Sequence, residues 1–184
     1  MKAKLHPSQA IIENPLFNIG KQYQKPKSAK DLIIIKISRD IFMPLNMDWH
    51  SRLPDCKNCF EGFFFGAKFD GKYYAVAWWS KPVARQFNNL GYVELRRLAI
   101  HEDAPKFTAT RMLSKMIKII RKKYPEINKC ISYQDTEVHT GTIYKAGNWK
   151  LANIGQKVKK GWESRDSNRQ NQSTAPKIRW EFNL

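Results

Sequence analysis

The chain is short of acidic residues. Only 16 Asp and Glu stand against 33 Lys and Arg, for a formal net charge of +17 and an isoelectric point near 9.9. In 184 residues that deficit points to a polyanionic partner, nucleic acid first. Long apolar runs are missing too: nothing approaches the roughly 18 residues a membrane helix needs, so no membrane association is expected. Residues 1–10 lack an apolar signal-peptide core, and the three cysteines are an odd number with no framework spacing. Together these predict a protein of the cytoplasm, where thiols stay reduced. No internal repeat is visible. What is present excludes a disordered chain: 42% hydrophobic and 12% aromatic residues are enough for one core in 21.6 kDa.

Residues 1–30 are basic and broken by Pro7, Pro15 and Pro26, so they read as an irregular arm ahead of a single domain over 31–184. A β-branched run from Asp31 to Ile37 predicts a strand, and Ser38–His50 a short helix or loop pair interrupted by Pro44. Two aromatic-rich runs, Cys59–Phe69 and Lys72–Ser80, meet at Asp70-Gly71, a hairpin signal. Tyr92–Ile100 predicts another strand. Next comes a long helix with Asp103 as its cap, Pro105 in its first turn and Pro125 as its stop. Lys129–Tyr133 is a short strand, Thr140–Ala146 a short helix stopped by Gly147, and Lys150–Ile154 a strand. Residues 156–176 read as a polar, basic, mobile loop, and Lys177–Phe182 as a final strand. Three consecutive strands between helical segments imply a mixed α/β (α+β) sheet.

That order resembles the GNAT acyltransferases. Tyr92–Ile100 is similar to their central fourth strand, the helix after Pro105 to their donor-binding helix, and Gly141–Trp149 to their C-terminal tyrosine and turn. The stretches Glu94–Ile100, Ala104–Leu113 and Ser132–Tyr144 resemble, more narrowly, the Mom family of phage and prophage proteins. The resemblance implies a mostly antiparallel mixed sheet with splayed central strands flanked by helices. It also implies an enzyme that converts adenine in DNA to N6-carbamoylmethyladenine and so shields the DNA from restriction. One departure stands out. GNAT proteins carry glycines before the donor helix, where backbone amides approach the pyrophosphate of coenzyme A, whereas Asp103–Thr110 here contains none. Altered or lost coenzyme A binding is expected.

Adenine N6 is a weak nucleophile, because its lone pair is delocalised into the ring. Its modification needs positioning, proton removal and stabilisation of a developing oxyanion. By the resemblance Tyr144 is the general acid; otherwise it is a packed helix tyrosine. Asp135 can accept a hydrogen of the amine or cap a turn, and Gln134 can read an adenine edge. Arg96 and Arg97 alternate across a strand; the resemblance favours Arg97 as an anion clamp, with pairing to Glu94 as the alternative. Lys106, Thr108 and Thr110 are candidates for donor binding at the start of the long helix. The resemblance nominates His50 on the acceptor side, and His139 is near Asp135 and Tyr144 in sequence. Lys157, Lys159, Lys160, Arg165 and Arg169, with the basic face of the long helix, offer phosphate contacts. An outward-facing member of the Trp78 and Trp79 pair would stack on a base. Cys56 and Cys59 form a Cys-x-x-Cys, but a zinc site needs two more ligands and no second paired motif exists, so no metal is expected.

The donor is left open by the residues. Glycyl-tRNA fits the carbamoylmethyl product and the charge, and acetyl-CoA is the alternative. DNA is the expected partner, with tRNA as a second. Two other functions compete: a GNAT acetyltransferase of a protein or small amine, which predicts tight acetyl-CoA binding, and a non-catalytic DNA-binding antirestriction module, which predicts DNA binding that survives Tyr144→Phe.

Overall fold

Asp70 and Gly71 have φ of 43° and 83°. Two successive positive values match the twist of flanking strands in a two-residue hairpin, and that is why an Asp-Gly pair stands there. The strands it joins are β2 (Phe63–Phe69) and β3 (Lys72–Ser80). The computed structural model describes residues 24–50, 56, 59, 61–87, 89–155 and 176–184. The other strands are β1 (Ile33–Lys36), β4 (Tyr92–Ile100), β5 (Lys129–Asp135), β6 (Lys150–Ile154) and β7 (Lys177–Asn183). The helices are α1 (Arg39–Trp49), α2 (Thr108–Lys123) and α3 (Thr142–Ala146). The seven strands form a mixed sheet in the order β1-β2-β3-β4-β5-β7-β6. β4 and β5 run parallel, whereas β1/β2, β5/β7 and β6/β7 are antiparallel. Element order and sheet class are as the sequence predicts.

The chain divides into two compact units. One contains Met1–Trp78 and Arg97–Met112, the other Trp79–Arg96 and Leu113–Leu184. In the first, Phe42 and Leu45 of α1 pack in a cluster with Cys56, Cys59, Phe64, Tyr73, Val76, Trp78 and Ala99. The Phe42 ring is 5.1 Å from Phe64, which stacks on Trp78. This packing explains why α1 runs unbroken through Pro44, where an interruption was expected. The proline removes one backbone bond in the middle of the helix, and the burial of Phe42 and Leu45 on either side offsets it. Ser38 Oγ caps the helix by accepting from Ile41 N. Residues 24–31 are tied into this unit: Gln24 N donates to Asp70 Oδ2 (2.9 Å), and Arg111 donates to the carbonyls of Lys30 (2.9 Å) and Leu32 (3.2 Å).

The second unit is built on Trp79, whose indole N–H donates to Met116 Sδ and whose ring stacks on Trp149. Leu113, Met116, Ile117 and Ile120 line the buried face of α2, and Lys115, Lys118, Lys122 and Lys123 its exposed side. Trp78 and Trp79 are both buried, at 6% and 0% exposure, so neither is the outward stacking platform the alternation allowed.

Several expected boundaries move, and β2 begins at Phe63 rather than at Cys59. α2 begins at Thr108 rather than at Pro105, because Phe107 is left-handed (φ 69°) and breaks the helical path. Asp103 therefore does not cap the helix; its carboxylate pairs with Lys25 at 2.7 Å, which holds it well below the usual carboxylate range. β5 runs two residues past Tyr133, so Asp135 is the last residue of the strand and does not follow it.

Candidate active site

Ser132 stands where the parallel ladder ends. β4 and β5 pair from Tyr92↔Lys129 to Leu95↔Ser132, and each then runs on, β4 to Ile100 and β5 to Asp135. β5 keeps β7 as its other neighbour down to Asp135↔Lys177. Ser132 and Gln134 share the buried face of β5, with the exposed Tyr133 between them, and Trp180 of β7 is directly opposite Ser132.

Tyr144 comes onto this face from α3. Its hydroxyl is 2.8 Å from Ser132 Oγ, its ring stacks on Trp180 (5.4 Å, 14°), and Trp149 meets it edge-on at 5.5 Å. Burial pushes the phenol above its usual value of 10.0, and the bond to Ser132 opposes that in part. At neutral pH the phenol therefore keeps its proton and can act as an acid without first carrying charge.

Gln134 is 4% exposed. Its amide N–H donates to the carbonyl of His139, and its oxygen accepts from Trp180 Nε1 at 2.8 Å. These bonds turn the amide inward, so the expected base-reading role gives way to a structural one. Gly141 explains how the turn closes. It is left-handed (φ 75°), and a Cβ there would fall 2.5 Å from Gln134 Oε1 and 2.9 Å from Trp180 Cζ2. Asp135 is half-buried; its Oδ1 accepts from Glu137 N at 3.0 Å, and its backbone carbonyl accepts from His139 N. His139 itself is exposed. The second unit thus gathers Ser132, Gln134, Asp135 and Tyr144.

Arg96 bonds Glu94 at 3.2 Å, and Glu94 also accepts from Val83 N. Arg96 is thereby committed to one face of β4, and the half-buried Arg97 belongs to the opposite one. In the first unit, His50 closes α1, its N–H donating to Asn46 O at 2.9 Å. Trp49 meets the ring of His101 edge-on at 5.1 Å, Tyr74 meets it at 6.3 Å, and His101 Nδ1 accepts from Asp103 N. Lys106 is exposed and Thr110 half-buried at the start of α2.

Thr108 departs from expectation. It is 2% exposed, and its hydroxyl donates to Pro105 O at 2.6 Å, as does its N–H at 3.3 Å, so neither is offered to a donor. A turn without glycine, with a left-handed Phe107 and with that amide already committed, does not fit coenzyme A as a glycine-rich turn does. Cys56, Cys59 and Cys130 are buried thiols, and Cys130 is pushed up to about 12 by burial. Lys157, Lys159, Lys160, Arg165 and Arg169 lie outside the described residues. Sequence reasoning passed over Ser132, Trp180 and His101. Two polar residues two apart, Ser132 and Gln134, on one face of β5 were the available signal for Ser132.

Solved structures of acetyltransferases share this fold. An IAA acetyltransferase from Bacillus cereus superposes with a TM-score of 0.61 over 83% of this chain and 99% of its own, at 15% identity. The ribosomal-protein-S18-alanine N-acetyltransferase from Escherichia coli gives 0.60 over 83% and 94%, at 13% identity. A GNAT family acetyltransferase from Elizabethkingia anophelis with acetyl-CoA bound gives 0.60 over 84% and 99%, at 15% identity. The architecture is thus that of the GNAT acetyltransferases. Within it the chain belongs to the Mom protein family, whose sequence pattern matches residues 31–181. The methylcarbamoylase mom of Escherichia phage Mu is 34% identical over 70 residues, which are 38% of this chain and 29% of the phage protein. No helix among the described residues is long and apolar enough to cross a membrane.

Proposed function

We propose that this protein is a transferase that modifies adenine in DNA, leaving N6-carbamoylmethyladenine, and that it acts in the cytoplasm of a bacterial host to protect phage or prophage DNA from restriction. The observation that carries this reading is the buried, protonated phenol of Tyr144 held on Ser132 where the β4–β5 ladder ends, in a chain of the Mom family. The similarity to a methylcarbamoylase and the +17 charge support DNA as the partner.

The donor that fits is an activated glycyl ester, glycyl-tRNA. The adenine is extruded, and its N6 attacks the ester carbonyl. The carbon–oxygen ester bond breaks, the Asp135 carboxylate takes the N6 proton, and Tyr144 protonates the departing ribose oxygen. In the first unit, Arg97 and Lys106 offer cations to phosphates, and Thr110 and His50 offer hydrogen-bonding groups. The N6-glycyl amide then rearranges: its free amine attacks C6, the C6–N6 bond breaks, and the former N6 leaves as the terminal amide nitrogen. The product carries CH2-CO-NH2 on the new exocyclic nitrogen, and all atoms balance. Because the Asp103–Thr110 turn suits coenzyme A poorly, no step passes through it.

Purified protein with duplex DNA and either charged glycyl-tRNA or acetyl-CoA, followed by mass spectrometry of the nucleosides, tests this directly. The expected result is carbamoylmethyl adenosine with glycyl-tRNA alone. Acetylated adenosine with acetyl-CoA would replace the donor, and unmodified adenosine in both arms would overturn the reading.

A further inference from the structure

We propose that Ser132 is a positioning residue for Tyr144: its hydroxyl aims the phenol and sets how readily it releases its proton, while Gln134 acts through Trp180 to hold the ring in the plane where that bond forms. The catalytic part of this rests on the adenine-modification reading above; the chemistry of the pair does not.

Each hydroxyl has one hydrogen and can accept. If Tyr144 is to protonate a leaving group, its O–H must point at the substrate. It must then accept from Ser132, so the 2.8 Å contact has Ser132 as donor in the competent state. Once the proton is gone, a buried oxyanion remains, and Ser132 already points a hydrogen at it. A hydrogen bond to a charged acceptor is about twice as strong as a neutral one, so the serine helps most after transfer.

The framework that makes the contact reproducible is also visible. Ser132 and Trp180 are cross-strand partners, Trp180 stacks on Tyr144, and its N–H is fixed by Gln134 Oε1. Gln134 in turn ties the carbonyl of His139 to β5, and Gly141 leaves the space that a side chain would take from both. Ser132, Gln134, Tyr144 and Trp180 are all at least nine-tenths buried, which suits a framework better than a binding surface.

The test uses full-length protein with fluorotyrosine incorporated, the Tyr144 signal being assigned by its loss in Tyr144→Phe. In Ser132→Ala the ionisation of Tyr144 should move up by about one pH unit. In Ser132→Thr, which keeps the hydroxyl, it should stay near the wild-type position. On DNA, Ser132→Ala should lower kcat about tenfold at unchanged KM and move the basic limb of the pH profile upward. Melting temperature shows whether each variant folds. A Tyr144 titration unmoved in folded Ser132→Ala overturns the proposal, as does Ser132→Thr behaving like Ser132→Ala. Wild-type protein that makes no modified adenine sinks the functional reading, and the titration still decides the role of Ser132.

Discussion

The wall formed by β5, α3 and β7 and the turn at residues 101–107 ahead of α2 are built on opposite plans. The wall is fixed by side chains: Tyr144 on Ser132, Trp180 on Gln134, and two indole rings against the phenol. The turn is fixed largely by backbone: Ala104 N on His101 O, Thr108 N on Pro105 O, and a phenylalanine in the left-handed region. The wall preserves what an acyl transfer needs, a held proton donor. The turn discards what a coenzyme A enzyme needs, open amides and absent β-carbons. On the proposed reading, the contrast is that of one fold keeping its acid while exchanging its donor.

The sharpest break of that comparison is Tyr144→Phe. It removes the proton donor and leaves the ring stacked on Trp180. Turnover should fall about 10²–10⁴-fold, with DNA affinity at fixed salt unchanged. Lys106→Ala and Thr110→Ala should do the reverse, raising the donor KM and sparing kcat. Single-turnover mass spectrometry and gel-shift titration separate the two patterns. If both regions changed KM alone, the acid role of the wall would fail.

Trp180→Ala comes next. It removes a ring at 4% exposure and strips Gln134 Oε1 of its donor, so a loss of about 3–5 kcal/mol is expected in urea melts. A loss under about 1 kcal/mol would mean that the wall is not the rigid partner described.

The pH dependence is smaller and has a definite sign. The folded Tyr144 phenol ionises above the unfolded value of 10.0. Its contribution to stability is complete below that value and is lost as pH rises from there through the raised folded value. Tyr144→Phe has no proton to lose, so the stability gap between wild type and variant should shift in the variant's favour above pH 10.0, as read from unfolding curves at stepped alkaline pH. A constant gap across that window would contradict the burial of the phenol.

Legibility from sequence followed the same divide. Strands announced by alternation were found within a residue or two, the hairpin at Asp70-Gly71 was found although its first strand starts at Phe63, four residues after Cys59, and Tyr144, Asp135 and Gln134 fall in one unit. Missed features depended on contacts between distant residues. Ser132 gains its meaning from Trp180, its partner across the β5–β7 ladder, and Gln134 loses its reading role to the same indole. Local rules placed the start of α2 at Pro105 because proline suits a first turn. They had no means of foreseeing that Phe107 would adopt φ 69° and delay the helix to Thr108.

That residue gives the finest test of the comparison. A left-handed L-residue costs roughly 1–2 kcal/mol, and Phe107 is 78% exposed, so little burial is forfeited by replacing it. Glycine adopts the same φ freely but costs about 0.5–1 kcal/mol in chain entropy. Phe107→Gly should therefore stabilise the protein by about 0.5–1 kcal/mol in urea melts. On the proposed reading, a conformation kept at that cost, on an exposed ring beside Lys106, would serve the donor side. The donor KM should accordingly rise in Phe107→Gly, with the Tyr144-dependent pH limb unmoved. Stability gained with no change in KM would make the left-handed turn strain alone, and would leave the absence of glycine as the one mark of a changed donor in this segment.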